Sequence, residues 1–94
     1  MRFGRRREDL RDTLGQLADW VRETQALRRV LCLDEGQHAD LTERIKVVAD
    51  AMQVRPDIRR LNGRTEITLR GPVTANEVRL AARIEDAYRS VSAT

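Results

Sequence analysis

Cysteine occurs once in this sequence, at Cys32, and histidine once, at His38. That excludes an internal disulfide framework and an ordinary structural zinc site, which draws its four ligands from cysteine and histidine. Serine is confined to Ser90 and Ser92, so a Ser-His-Asp hydrolase is not expected. No apolar run approaches the ~18 residues of a membrane span, and the opening MRFGRRRED has no signal-peptide apolar core. The expectation is a soluble, cytoplasmic chain with no metal, no cofactor and no membrane contact. Aromatics are limited to one Phe, one Tyr and one Trp in 94 residues. A domain of this size buries roughly two-thirds of the surface its unfolded chain exposes, so its core is thin and self-association would supplement it.

Charge is plentiful but mixed. Eighteen basic residues face fifteen acidic ones, for a net charge of +3. The excess sits in Arg2, Arg5, Arg6 and Arg7, and the remainder is close to neutral. Acidic residues interleave with the arginines throughout, so nucleic acid is not the expected partner, although the arm itself could touch phosphate. Residues 1–7 read as a flexible basic arm, 8–91 as the folded domain and 92–94 as a tail.

Periodicity orders the domain. Leu10, Leu14, Leu17 and Val21 recur at helical spacing and predict a first helix over 8–20, weakened at Gly15. Residues 21–23 and 27–33 read as two short strands joined through 24–26, with Cys32 expected to be a small buried group. Asp34 followed by Gln37 is a capping box opening a second helix, with Leu41, Ile45, Val48, Ala49 and Met52 on its buried stripe. That helix must stop near Val54, because Pro56 disfavours helical geometry at Arg55. His38 falls on it and is expected to be exposed. Asn62-Gly63 predicts a type I′ hairpin that sets Leu61 against Arg64, Arg59 against Glu66 and Ile58 against Ile67. Arg60 shares the phase of Ile58, so its stem should cover core while its head reaches outward. Thr74 and Glu77 form a second capping box before a last helix, whose buried stripe is Leu80, Ala81, Ile84, Ala87, Tyr88 and Val91. The fold class is α+β, a single α-β-β-α-β-β-α domain with a four-stranded antiparallel sheet and three helices on one face.

This order, with its residues, resembles the pterin-4a-carbinolamine dehydratase family. Trp20 with Leu27-Arg28-Arg29-Val30 looks like the family's tryptophan hairpin, and residues 43–52 like its central helix. Pro56-Asp57-Ile58 resembles the start of its third strand, and residues 73–85 its final helix. The active-site motif departs. Where the family carries His-His-Pro, this chain has Val54-Arg55-Pro56, and Leu69-Arg70-Gly71-Pro72-Val73 lacks the family's further histidine. Dehydrating a carbinolamine needs a group that exchanges protons near neutrality, as imidazole does. Valine cannot transfer protons, and arginine stays protonated.

The resemblance implies a dehydratase-like module that has lost its catalysis and serves in binding or assembly, as some relatives do in Rubisco assembly. The alternative is a divergent enzyme on the same scaffold, a dehydratase (a carbon-oxygen lyase) or a catalyst of another small-molecule reaction, with Asp50 and Glu77 as its candidate catalytic residues. Ligand or partner candidates at the family's pocket are Val54, Arg55, Pro56, Asp57, Arg60 and Arg70. The expected partners are the chain itself, as a homodimer or homotetramer, and a protein or an anionic or pterin-like small molecule. Val47, beside the buried stripe of the second helix, is the residue expected to meet a second subunit.

Overall fold

Hydrophobic alternation along Ala26–Cys32 decides which way this sheet faces. Leu27 and Leu31 are buried, and Arg29 lies between them in the same phase. Ala26, Arg28, Val30 and Cys32 therefore point to the opposite face. The computed structural model describes residue 17 and residues 19–93. Its elements are β1 (Val21–Glu23), β2 (Ala26–Cys32), α1 (Glu35–Met52), β3 (Asp57–Leu61), β4 (Arg64–Arg70) and α2 (Ala75–Ser92). The strands form one antiparallel sheet in the order β1-β2-β4-β3, so β1 and β3 are its edges. Two helices, not three, are present among the described residues. The arm over 1–7 and most of the expected helix over 8–20 lie outside them; Leu17, Asp19 and Trp20 form a turn, with the Trp20 amide donating to the Leu17 carbonyl at 2.9 Å.

Local chemistry accounts for most boundaries. Asp34 accepts from the Gln37 amide at 2.7 Å, while the Gln37 side chain accepts from the Asp34 amide at 3.1 Å. The end of α1 is a left-handed Gln53 at φ 57°, whose amide returns to the last turn. Asn62 and Gly63 both hold positive φ, at 52° and 77°, as a type I′ turn requires. The expected register follows in full: Leu61 opposite Arg64, Arg60 opposite Thr65, Arg59 opposite Glu66 and Ile58 opposite Ile67. The last helix runs one residue beyond its expected end, through Ser92.

Leu41, Ile45 and Ala49 of α1 and Leu80, Ala81, Ile84 and Val91 of α2 meet Leu27, Leu31, Ile67 and Leu69 of the sheet. Both helices thus cover one face. Each large apolar side chain buried there contributes roughly 1.5–3 kcal/mol. Among the described residues no helix packs on the other sheet face, which mixes Arg28, Glu66 and Arg70 with Val30 and Leu61.

Two polar groups sit inside this core face. Glu85, on the buried side of α2, accepts from Arg29 Nε at 2.7 Å and from Trp20 Nε1 at 2.8 Å. Side-chain exposure is only 13% for Arg29 and 8% for Glu85, so the pair is desolvated. The Arg29 guanidinium also stands 5.6 Å from the Tyr88 ring centroid and 3.6 Å from Asp19. At the other end, fully buried Thr65 shares its hydroxyl between His38 Nδ1 at 2.8 Å and Arg60 at 3.2 Å. Arginine can only donate, so the Thr65 oxygen is the acceptor in its contact with Arg60.

Three expectations are corrected here. Cys32 is exposed, because the strand's period of two puts it on the outer face with Val30. His38 is half-buried, because its position on α1 lies over β4 and finds the Thr65 hydroxyl. Arg60 does not send its head outward; it turns it to the same hydroxyl.

The buried pair makes a direct prediction. Glu85→Ala strands a buried guanidinium and an indole N–H, and should cost about 3–5 kcal/mol in denaturant unfolding. Combining Arg29→Met with Glu85→Gln should cost clearly less than the sum of the two single substitutions. Additive losses would show that the two groups are not coupled.

A candidate binding cleft between the first helix and the third strand

The connection from α1 to β3 builds a chemically varied concavity. The left-handed Gln53 turns the chain out of α1, and the Val54 amide donates to the Ala49 carbonyl at 3.0 Å. Pro56 has no amide to continue a helix, and the next residue enters β3. Because β3 is an edge strand, the space beneath α1 stays open on that side. A cleft of about 620 Å³ results. Its α1 wall is Thr42, Lys46, Ala49 and Asp50; its other wall is the run from Val54 to Ile58.

The charges around it are balanced. Asp57 Oδ2 lies 3.1 Å from Arg70 and 3.5 Å from Arg59, which reach it from neighbouring strand positions. Lys46 makes a long contact of 3.8 Å with Glu43. Asp50 and Arg55 are exposed, and neither has an ion-pair partner among the described residues. The Thr42 hydroxyl is buried without any hydrogen-bond partner among the described residues. An orphaned buried hydroxyl costs about 1–3 kcal/mol relative to a satisfied one.

Of the residues expected at this site, the fold brings together Asp50, Val54, Arg55, Pro56 and Asp57. Arg70 reaches the cleft only through its ion pair with Asp57. Arg60 is committed to Thr65. Glu77 is elsewhere, in the first turn of α2, where it accepts from the Thr74 amide at 2.8 Å and from the Thr74 hydroxyl. Burial raises its pKa, but those hydrogen bonds outweigh burial and hold it below the ordinary value of 4.5. Asp50 and Glu77 therefore do not form a carboxylate pair.

Thr42 and Lys46 were not among the expected site residues. The sequence does hold a signal for them: Thr42, Lys46 and Asp50 recur at intervals of four and so share one helix face. The chain's one imidazole, on His38, is not among the residues lining this cleft. Among the described residues no group of three or more His, Cys, Asp or Glu side chains could hold a metal ion. No described helix is long and apolar enough to cross a membrane.

No family model matches this sequence, and no curated protein matches it. Among solved structures, the chain is similar to the crystal structure of a transcriptional coactivator/pterin dehydratase from Brucella melitensis, with a TM-score of 0.71 at 16% sequence identity. The match covers 85% of this chain and 93% of that one. This likeness shows the fold: a small α+β domain with the four-stranded antiparallel architecture of a pterin dehydratase/coactivator.

Proposed function

We propose that this chain is a pterin dehydratase-like module without dehydratase activity, which works as a small oligomeric binding or assembly protein. One observation carries the reading. The cleft at the end of α1, where the resembled family places its pocket, is lined by Val54 and Arg55 and contains no imidazole. The two carboxylates that could replace one are poorly suited. Glu77 is held below the ordinary carboxylate range, away from the near-neutral value that general acid–base work favours. Asp50 is open to solvent. What remains is a binding surface: an orphaned Thr42 hydroxyl, two cations at Lys46 and Arg55, and two carboxylates. That set suits a protein segment or a polar small molecule.

Formation of quinonoid dihydropterin from the 4a-carbinolamine tests the loss of catalysis. The chain should not raise the rate above background, and Asp50→Asn or Glu77→Gln should change nothing. Turnover well above background that either substitution abolishes would restore the enzyme reading.

Self-association is the second part of the proposal. Val47 projects from α1 at 70% exposure, and β3 is an edge strand with unpaired backbone groups. A two-fold interface would cover this side. Light scattering at micromolar concentration should give the mass of at least two chains, and Val47→Glu should lower it to one. A single-chain mass for the unaltered protein at every concentration would refute the interface.

Glu77, read as a cap, gives a pH prediction. A carboxylate whose folded pKa is depressed stabilises above its unfolded pKa, and that stabilisation is lost as pH falls through the folded value. The melting temperature of the unaltered chain should therefore fall more steeply below pH 4.5 than that of Glu77→Gln. Parallel curves would remove Glu77 from the acid response.

A further inference from the structure

We propose that the outer face of α2 and the last turn of α1 form a binding cleft for a phosphate monoester, separate from the cleft along β3. Asn76, Arg79, Arg83 and Asp86 recur at steps of three, four and three, so they lie along one stripe of α2. With Ala82 and Met52, which ends α1, they line an open cavity of about 410 Å³. That volume falls within the range of small-molecule sites.

The arginines are what single this cavity out. Arg79 and Arg83 are exposed, sit one helical turn apart, and have no carboxylate within ion-pair distance among the described residues. The other helical arginines with partners are handled differently. Arg44 has Asp40 four residues before it at 3.2 Å, and Arg89 has Asp86 three residues before it at 3.7 Å. Two like charges at a spacing of four destabilise a helix. The two arginines thus repel one another in the chain taken alone, and a bound oxyanion relieves that repulsion.

The chemistry of the walls narrows the ligand. Two guanidinium forks from positions one helical turn apart match the several oxygens of a phosphate dianion, which neutralises both; one carboxylate would neutralise one. The Asn76 amide adds a donor at the same end. Met52 and Ala82 offer apolar surface to an organic body. Asp86, already paired with Arg89, sets a negative end that rejects a second anion. The fitting molecule therefore carries one phosphate and a neutral or cationic remainder. Two cations and one opposing carboxylate also make a poor footprint for a nucleic-acid backbone, which is held by longer basic tracks.

Titrating the ¹⁵N-labelled full-length chain with inorganic phosphate, at ionic strength held constant with chloride, tests the site. Saturable amide shifts should be confined to Met52 and the 76–86 stretch, and O-phosphoethanolamine should bind more tightly than phosphate. Arg79→Gln and Arg83→Gln should each weaken binding at least fivefold, whereas Arg64→Gln, also exposed and without a carboxylate partner, should leave it unchanged. Without ligand, the melting temperature of either variant should equal or exceed that of the unaltered chain. Three results would overturn the proposal. One is shifts that scatter over all exposed arginines or that chloride reproduces, and another is a fall in melting temperature on Arg79→Gln and Arg83→Gln with phosphate binding unchanged. The third is duplex DNA binding the same residues more than a hundredfold tighter than phosphate.

Discussion

One desolvated carboxylate, Glu85, holds together parts of the chain that sequence keeps far apart. It accepts from Trp20, 65 residues earlier, and from Arg29, 56 residues earlier. Placing a carboxylate and a guanidinium in a low-dielectric interior costs several kcal/mol per ion before any attraction is counted. Here the cost is offset by short contacts on one oxygen, by the Tyr88 ring beneath the guanidinium and by Asp19 at its outer edge. A purely apolar contact would slide; this one has a single geometry. It docks α2 on β2 at a defined height and fixes where the turn before β1 meets the core.

The second helix of the pair is located from the opposite end of the sheet. His38, Thr65 and Arg60 join α1, β4 and β3 through one buried hydroxyl. Arg44 of α1 also donates to the Ser90 hydroxyl of α2 at 3.3 Å, which ties the two helices along their antiparallel contact. With both helices placed, the edge strand β3 is left open beneath α1, and the cleft with the orphaned Thr42 hydroxyl follows. The chain's polar interior groups thus position the helices, while the apolar residues supply most of the stabilisation. The same arrangement moves the one imidazole away from the cleft. That imidazole instead bonds the buried Thr65 hydroxyl.

Much of this was legible in one dimension. The hairpin register followed from Asn62-Gly63, because positive φ at two successive residues leaves one turn type and a two-residue loop leaves one pairing. The first capping box followed from Asp34 and Gln37 for an equally local reason. The cleft was half legible: Asp50 and residues 54–57 converge because a helix end and the strand after it are neighbours in sequence. Thr42 and Lys46 escaped because their relevance depends on which helix face β3 lies under. Three residues depart from expectation. His38 and Arg60 were decided by the buried Thr65 hydroxyl that both meet, and Cys32 by the strand phase that turns it to the outer face.

The sequence by itself determined the four strands, the two described helices, the turn chemistry and the pairing of β3 with β4, since these rest on interactions a few residues long. It also placed Val54 and Arg55 directly before Pro56 at the end of the helix, since residue order is a covalent fact. Only the tertiary structure decided that Arg29 and Glu85 face each other inside the core. Only it decided that β2 pairs with β4, that the lone histidine serves a buried threonine, and that Thr42 has no hydrogen-bond partner among the described residues. Those outcomes depend on the packing of helices against a sheet over tens of residues, where desolvation and geometry, rather than local propensity, select the partners.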